Sequence, residues 1–260
     1  MANKYWINRL AKEQAEITKR NAKQINKQIT KYYQQSMKRT LDNFEATYNK
    51  ILIQREQGKE ITPADLYKLD KYWQMQGALR QELRKLGEKQ ISLLSKQFEL
   101  HYFDVYYSFA LQGTTAYNTP NTSMVKQLIN SIWVADGKSF SQRIWQNTEK
   151  LVEMLNEELV YCVVNGQTTR QLKDKLQERF AVSYERADAL VKTELAHIQT
   201  QASVQRYKDY GLKEVEILAD EDERRCEVCG KLHEKRYAIG EAVPIPAHPR
   251  CRCCVVPVIE

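Results

Sequence analysis

The sequence predicts a mostly α-helical protein: a long N-terminal antiparallel helical hairpin, then a helical C-terminal domain that ends in a small module of short strands and loops. Three observations predict it. Apolar side chains recur at steps of three and four over two long stretches, the spacing of one helix face. The 260 residues hold only 9 Gly and 6 Pro, and four of those prolines follow residue 243. Five of the six cysteines lie in the last 35 residues. Breakers and soft side chains are therefore gathered at one end, and the body before them is free to run as helix. The segments drawn on this basis are 1–112, 123–211 and 212–260, the last two forming one C-terminal domain.

Residues from about 4 to 56 read as one helix, with its stripe at Ile25, Ile29, Tyr32/Tyr33, Met37, Leu41, Phe44, Tyr48 and Ile51/Leu52. Gly58 and its polar neighbours interrupt the pattern. Thr62 is suited to cap a second long helix, with Pro63 at its first position and Asp65 at the positive end of its dipole. That stripe runs through Leu66, Leu69, Trp73, Leu79, Leu83, Leu86, Leu94, Phe98, Tyr102, Val105 and Phe109. Two helices of about 50 residues, roughly 75 Å each, would pair along these narrow stripes. The turn-rich stretch 113–122 is the expected boundary. Shorter helices are expected near 123–132, 139–164, 168–180 and 183–210, with Thr168 as a cap and Gly166 and Gly211 as stops.

In the tail, Val215 and Ile217 alternate with Glu214 and Glu216 as in a half-buried strand, and a second strand is expected near 236–239. Pro244, Pro246 and Pro249 keep the chain extended. Cys226-Glu-Val-Cys229 is followed, after eighteen residues, by His248-Pro-Arg-Cys251-Arg-Cys253-Cys254. Two pairs of soft ligands, each separated by two residues and joined by a modest loop, suit a tetrahedral Zn²⁺ site. The first-choice ligands are Cys226, Cys229, His248 and Cys251, with Cys253 and Cys254 as substitutes for Cys251. Four protein ligands make a closed, structural centre with no open position. The alternatives are unbound reduced thiols and disulfides. The N-terminus lacks the layout of a secretory signal, and no apolar run approaches the roughly 20 residues of a membrane span, so a reducing compartment and metal are favoured. The tail has too few apolar residues to fold alone, and a metal would supply the difference.

The net charge of +7 is uneven. Residues 1–40 carry 10 Lys and Arg against 2 Asp and Glu; residues 1–100 carry 20 against 11, and residues 101–260 carry 20 against 22. The basic excess is thus N-terminal. Lys19, Arg20, Lys23, Lys27 and Lys31 are candidate contacts to DNA or to an acidic protein partner, set against the plainer reading of a solvated helix face.

An ordered series of motifs spans the C-terminal half: Trp133-Val-Ala-Asp136-Gly137, Asn165-Gly166-Gln-Thr, Arg186-Ala-Asp-Ala-Leu-Val-Lys192-Thr193-Glu194, Asp222-Glu-Arg224-Arg-Cys226-Glu-Val-Cys229, and Pro246-Ala-His248-Pro249-Arg-Cys251-Arg252-Cys253. This series resembles the tailed-phage minor head proteins, the Mu F-type head morphogenesis family, over roughly residues 125–257. The resemblance implies a low-copy virion component at the head interior or portal vertex, assembled in the host cytoplasm. Its implied role is head assembly, DNA packaging or ejection. Implied partners are the portal protein and, beyond it, packaged double-stranded DNA, scaffold or the major capsid protein. The family's motif carries over onto Asp222, Arg224, Cys226, Cys229, His248, Cys251 and Cys253. Glu194 is expected to bind a backbone amide or an arginine such as Arg186 or Arg224, with Thr193 stiffening that contact.

Catalytic readings are weaker. A zinc nucleobase deaminase needs an H-x-E before its cysteine pair, which is absent. His233 is the one candidate for a zinc-dependent nuclease, and it lacks the expected partners. Glu194-Leu-Ala-His197 has the spacing used in di-iron bundles, but it occurs once where two are needed. No phosphate-binding glycine loop or nucleophile elbow is present. The sequence therefore reads as a non-enzyme. A zinc-containing nucleic-acid adaptor with a coiled-coil arm is the alternative.

Overall fold

In a computed structural model the chain is described over residues 2–56, 61–110, 118–219, 223 and 225–259. The first helix, α1 (Ala2–Glu56), follows the predicted stripe with one shift of register. Ile25, Ile29, Tyr33, Phe44, Tyr48 and Ile51 are buried as expected. Ser36 and Thr40 also take buried positions, while Met37 and Leu41 are only partly buried.

The second long helix is broken near its start. A five-residue α2 (Pro63–Tyr67) carries the expected cap as a full capping box: the Thr62 hydroxyl accepts from the Asp65 amide, and the Asp65 carboxylate accepts from the Thr62 amide. Lys68 and Leu69 separate it from α3 (Asp70–Ser108). The break corrects the placement of Trp73 on the stripe. Trp73 is 57% exposed and donates its indole N–H to the Tyr67 carbonyl at 2.7 Å, one of the carbonyls freed at the break. Tyr72 takes the core position and donates its hydroxyl to Asn156.

Beyond α4 (Thr122–Ile129), α5 (Phe140–Val164) ends at Gly166, whose φ of 61° closes the turn through Gln167 N–H to Cys162 O. Two helices expected over 168–180 and 183–210 are one, α6 (Thr169–Asp209). No Gly or Pro separates the two halves, and Ser183 at the expected gap is fully buried. Its hydroxyl and carbonyl both pair with Tyr33, and Asn147 also donates to that carbonyl. Thr168 caps α6, and Gly211, at φ 75°, stops it.

The tail forms a three-stranded antiparallel sheet. Strand β1 (Glu214–Leu218) lies between β2 (Arg236–Ala238) and β3 (Cys254–Pro257), with Glu216 opposite Arg236 on one side and Val256 on the other. A six-residue helix, α7 (Glu227–Leu232), separates β1 from β2. The burial of β1 alternates as predicted, whereas all four residues of β3 are buried.

Two compact units are each assembled from segments that lie apart in the sequence. One comprises Met1–Asn26, Leu93–Phe140 and Asp188–Glu260; the other comprises Lys27–Ser92 and Ser141–Ala187. In the second, α1 and α3 run antiparallel, with Lys89 over the Tyr32 ring and Arg39 against Glu82. Its core holds Leu151, Leu155 and Leu159 of α5 with Leu172, Leu176 and Phe180 of α6. In the first, Leu10, Phe109 and Tyr207 share a core with Val215, Ile217, Val255 and three cysteines. The tail's apolar deficit is thus made up in part by helical residues. No helix among the described residues is long and apolar enough to cross a membrane.

Candidate metal centre

The first cysteine pair is shaped by α7. Cys226 is its N-cap, in extended conformation, and its sulfur accepts from the Cys229 amide at 3.3 Å. Cys229 lies in the first turn and is buried. A cap and the third helical position face the same way, so both sulfurs meet one point.

The second pair is shaped by a turn. His248-Pro249-Arg250-Cys251 closes through Cys251 N–H to His248 O at 3.2 Å, with Arg250 at φ 60°. Cys253 comes next but one, immediately before β3. The ligand atoms form two overlapping groups, each within 4.8 Å: Cys226, Cys229 and His248, and Cys229, Cys251 and Cys253. Cys229 is common to both. Cys254 belongs to neither; it begins β3 opposite Leu218 and neighbours Tyr207.

Two distances test whether a metal would fit. The Cys229 and Cys251 sulfurs are 3.8 Å apart. A disulfide needs about 2.05 Å. A tetrahedron with Zn–S bonds of about 2.3 Å has an edge of about 3.8 Å. The Cys229 sulfur and His248 Nε2 are 3.1 Å apart, somewhat inside the edge of about 3.6 Å expected for Zn–S and Zn–N. That pair would open slightly around an ion. His248 Nδ1–H donates to the Pro249 carbonyl at 2.8 Å, which leaves Nε2 as the ligand atom. The six cysteines, all among the described residues, form no disulfide.

The electrostatics are uneven across the cluster. A hydrogen bond from the Cys253 thiol holds Cys251 down at about 5. Its role as donor to Cys251 pushes Cys253 up. Burial pushes Cys229 up to about 12. The Cys229 amide lowers Cys226, and the Pro249 carbonyl raises His248. Buried sulfurs that crowd within van der Waals range, one of them favoured as thiolate, match the demand of a soft cation.

The other residues singled out from sequence are spread more widely. Glu194 is buried and accepts from the Trp133 indole N–H at 2.9 Å, a partner its sequence neighbours do not suggest. Trp133 also stacks on His197, ring centroids 4.0 Å apart. Thr193 Oγ1 donates to the Ala189 carbonyl and accepts from the Arg250 amide. Arg186 is exposed on α6. Asp222 and Arg224 lie outside the described residues. Lys19, Arg20, Lys23, Lys27 and Lys31 are all exposed on α1, and Arg20 pairs with Asp104 at 3.3 Å. Sequence reasoning gave no role to Asp188 or Arg250, which meet at 2.8 Å. The signal was present in Arg250's place between two candidate ligands.

No curated protein and no solved structure matches the chain. One family does, described as Phage Mu protein F like protein, over residues 153–256. That stretch runs from within α5 through α6, β1 and both ligand pairs into β3. Residues 153–256 of this chain are thus similar to the phage Mu protein F-like proteins.

Proposed function

We propose that the chain is a minor head protein of a tailed phage, present in few copies in the virion and associated with the portal, and that it acts in head morphogenesis and in DNA packaging or ejection. The family match over residues 153–256 carries this reading. The family is one of head components, and the reading assigns no catalytic residue. Exposed cations on α1 support a contact to packaged DNA or to an acidic portal surface. Such contacts to phosphate would be sequence-independent and salt-sensitive, which suits a protein that must accept any packaged sequence.

The same reading gives the tail a structural zinc ion held by Cys226, Cys229, His248 and Cys251. The 3.8 Å sulfur separation supports it. Cys253 then serves as a protonated donor to the Cys251 sulfur. The ion would fix the turn and α7 together and would activate nothing, because four protein ligands leave no open position.

Co-sedimentation with purified portal rings is the test of function. Binding to rings, with or without DNA, is the expected outcome. DNA binding without ring binding would move the chain to the alternative, a zinc-containing nucleic-acid adaptor. Neutralising Lys19, Arg20, Lys23, Lys27 and Lys31 together tests the DNA contact, which is sunk if affinity and its salt dependence stay unchanged. Elemental mass spectrometry with a thiol count tests the metal, with about one zinc per chain expected.

A further inference from the structure

Arg250 occupies a backbone position that an arginine rarely takes. It is the third residue of the His248–Cys251 turn, at φ 60°, where glycine or asparagine is the usual choice. Two contacts to α6 hold it there. Its amide donates to Thr193 Oγ1 at 3.0 Å, and its guanidinium donates to Asp188 Oδ2 at 2.8 Å. The residue thus engages α6 through both backbone and side chain, while the two residues at the ends of its turn, His248 and Cys251, face the sulfur of Cys229.

We propose that Thr193, Asp188 and Arg250 form a clamp that positions the His248–Cys251 half of the metal centre on α6, so that metal affinity is set in part by the helix. The clamp rests on the zinc reading above and deepens it. It explains why a strained backbone is kept at this position. It also accounts for Asp188 and Thr193, which lie within the Arg186–Glu194 motif on α6 and reach the ligand loop through Arg250.

A half-exposed arginine paired with an exposed carboxylate would contribute little. Asp188 is different, being only 6% exposed. It also accepts from Asn26 at 2.7 Å and from Lys192 at 2.8 Å. These two donors keep the carboxylate compensated when Arg250 is changed. Loss of Arg250 should therefore leave α6 in place and release only the turn. Groups that orient metal ligands through hydrogen bonds typically contribute about 10- to 100-fold in affinity, and a similar size is expected here.

The experiment measures Co²⁺ affinity of the full chain against a competing chelator, with the d–d absorption of the bound ion and helical circular dichroism read on the same samples. Arg250→Ala, which loses the guanidinium, should bind Co²⁺ at least about 10-fold more weakly. Its d–d spectrum should remain tetrahedral and its helix content unchanged. Arg250→Gly relieves the backbone and keeps the amide donor, so it should fall between wild type and Arg250→Ala. Arg250→Lys should recover part of the loss, because it restores a cation for Asp188. Thr193→Val should weaken binding, and should weaken it less in the Arg250→Ala background than alone. Wild-type affinity in both Arg250→Ala and Thr193→Val, with the metal bound tetrahedrally, would overturn the clamp and leave the zinc reading standing. A wild-type chain that binds neither Co²⁺ nor Zn²⁺ would overturn the zinc reading, and the clamp with it.

Discussion

The helical unit of Lys27–Ser92 and Ser141–Ala187 and the tail of Glu214–Pro257 solve the same problem with different materials. The helical unit buries Leu155, Leu159, Leu176 and Tyr48 completely, and its stability is spread over many methylene groups. The tail has three short strands and shares a core in which Cys229, Cys251 and Cys253 sit among Val215, Ile217 and Val255. Burial of carbon surface stabilises at roughly 25 cal/mol per Å² whatever the metal or redox state of the solvent. Buried thiols pack as small apolar groups, but the larger contribution a thiol cluster can make depends on a bound metal. The contrast teaches that the two regions should fail under different insults, and the separation of those failures measures how independent the regions are.

The largest effect is expected on the tail. With free zinc held about a thousandfold above its Kd, the bound ion contributes about 4 kcal/mol to whatever folding it requires. Chelation, or Cys226→Ser, should therefore raise amide exchange over residues 212–259 and leave exchange over residues 141–180 as it was. Equal protection in the tail with and without metal would mean that packing against Leu10, Phe109 and Tyr207 already suffices. The converse change is Leu155→Ala, which opens a cavity in the helical unit and should cost about 3 kcal/mol by urea denaturation. Retained Co²⁺ affinity in that variant would sharpen the comparison. Loss of affinity would show that the two regions unfold together.

The difference also governed what could be read from sequence. The long helices were legible because burial repeats: Ile25, Ile29, Tyr33, Phe44 and Tyr48 declare a face without reference to any distant residue. The cap at Thr62 was legible for the same local reason. Trp73 was misplaced because a break at Lys68–Leu69 rotates the stripe, and Tyr72 looks equally apolar. The single α6 was cut in two because Ser183 is polar, and its burial depends on Tyr33, 150 residues away. In the tail, the cysteine spacing pointed to the cluster, but α7 and β3 are too short to show a period. Cys254 reads as a ligand by its position and faces Tyr207 because β3 begins there. The contact of Glu194 with Trp133 was out of reach, since Trp133 is apolar by habit and its one N–H finds a carboxylate only in the folded chain.

Acidification acts on the helical part of the unit that also holds the tail. His101 is fully buried; its Nε2–H donates to the Leu195 carbonyl at 3.1 Å, so Nδ1 accepts from Asn21 at 3.1 Å. Burial lowers its pKa to about 4 from an ordinary value near 6.5. Between those values the unfolded chain binds a proton that the folded chain refuses, so stability falls as the pH drops through that window. From about pH 7 to about pH 5 the loss from this one group should be about 2 kcal/mol. Cys251, held at about 5, and His197, lowered to about 4 by burial, respond to pH in the same range, so the share of His101 is read as the difference in urea midpoints between the metal-free wild type and a His101 variant. The variant His101→Gln should flatten the dependence, and an unchanged slope would refute the assignment to His101.

The smallest effect tests the break itself. At Thr62 and Asp65 each side chain accepts from the other's backbone amide, at 3.2 Å in both directions. Thr62→Ala removes one of the two and should ease the local opening of α2 by about 1 kcal/mol. The helix it caps is only five residues long, and Leu66 is its one buried side chain. A cap on so short an element acts by setting where the chain enters, so its loss should appear as faster proteolysis near residues 61–69, with the urea midpoint nearly unmoved. If instead the whole helical unit lost several kcal/mol, α2 would be an integral part of that unit, and the break at Lys68–Leu69 would be a bend in one long helix.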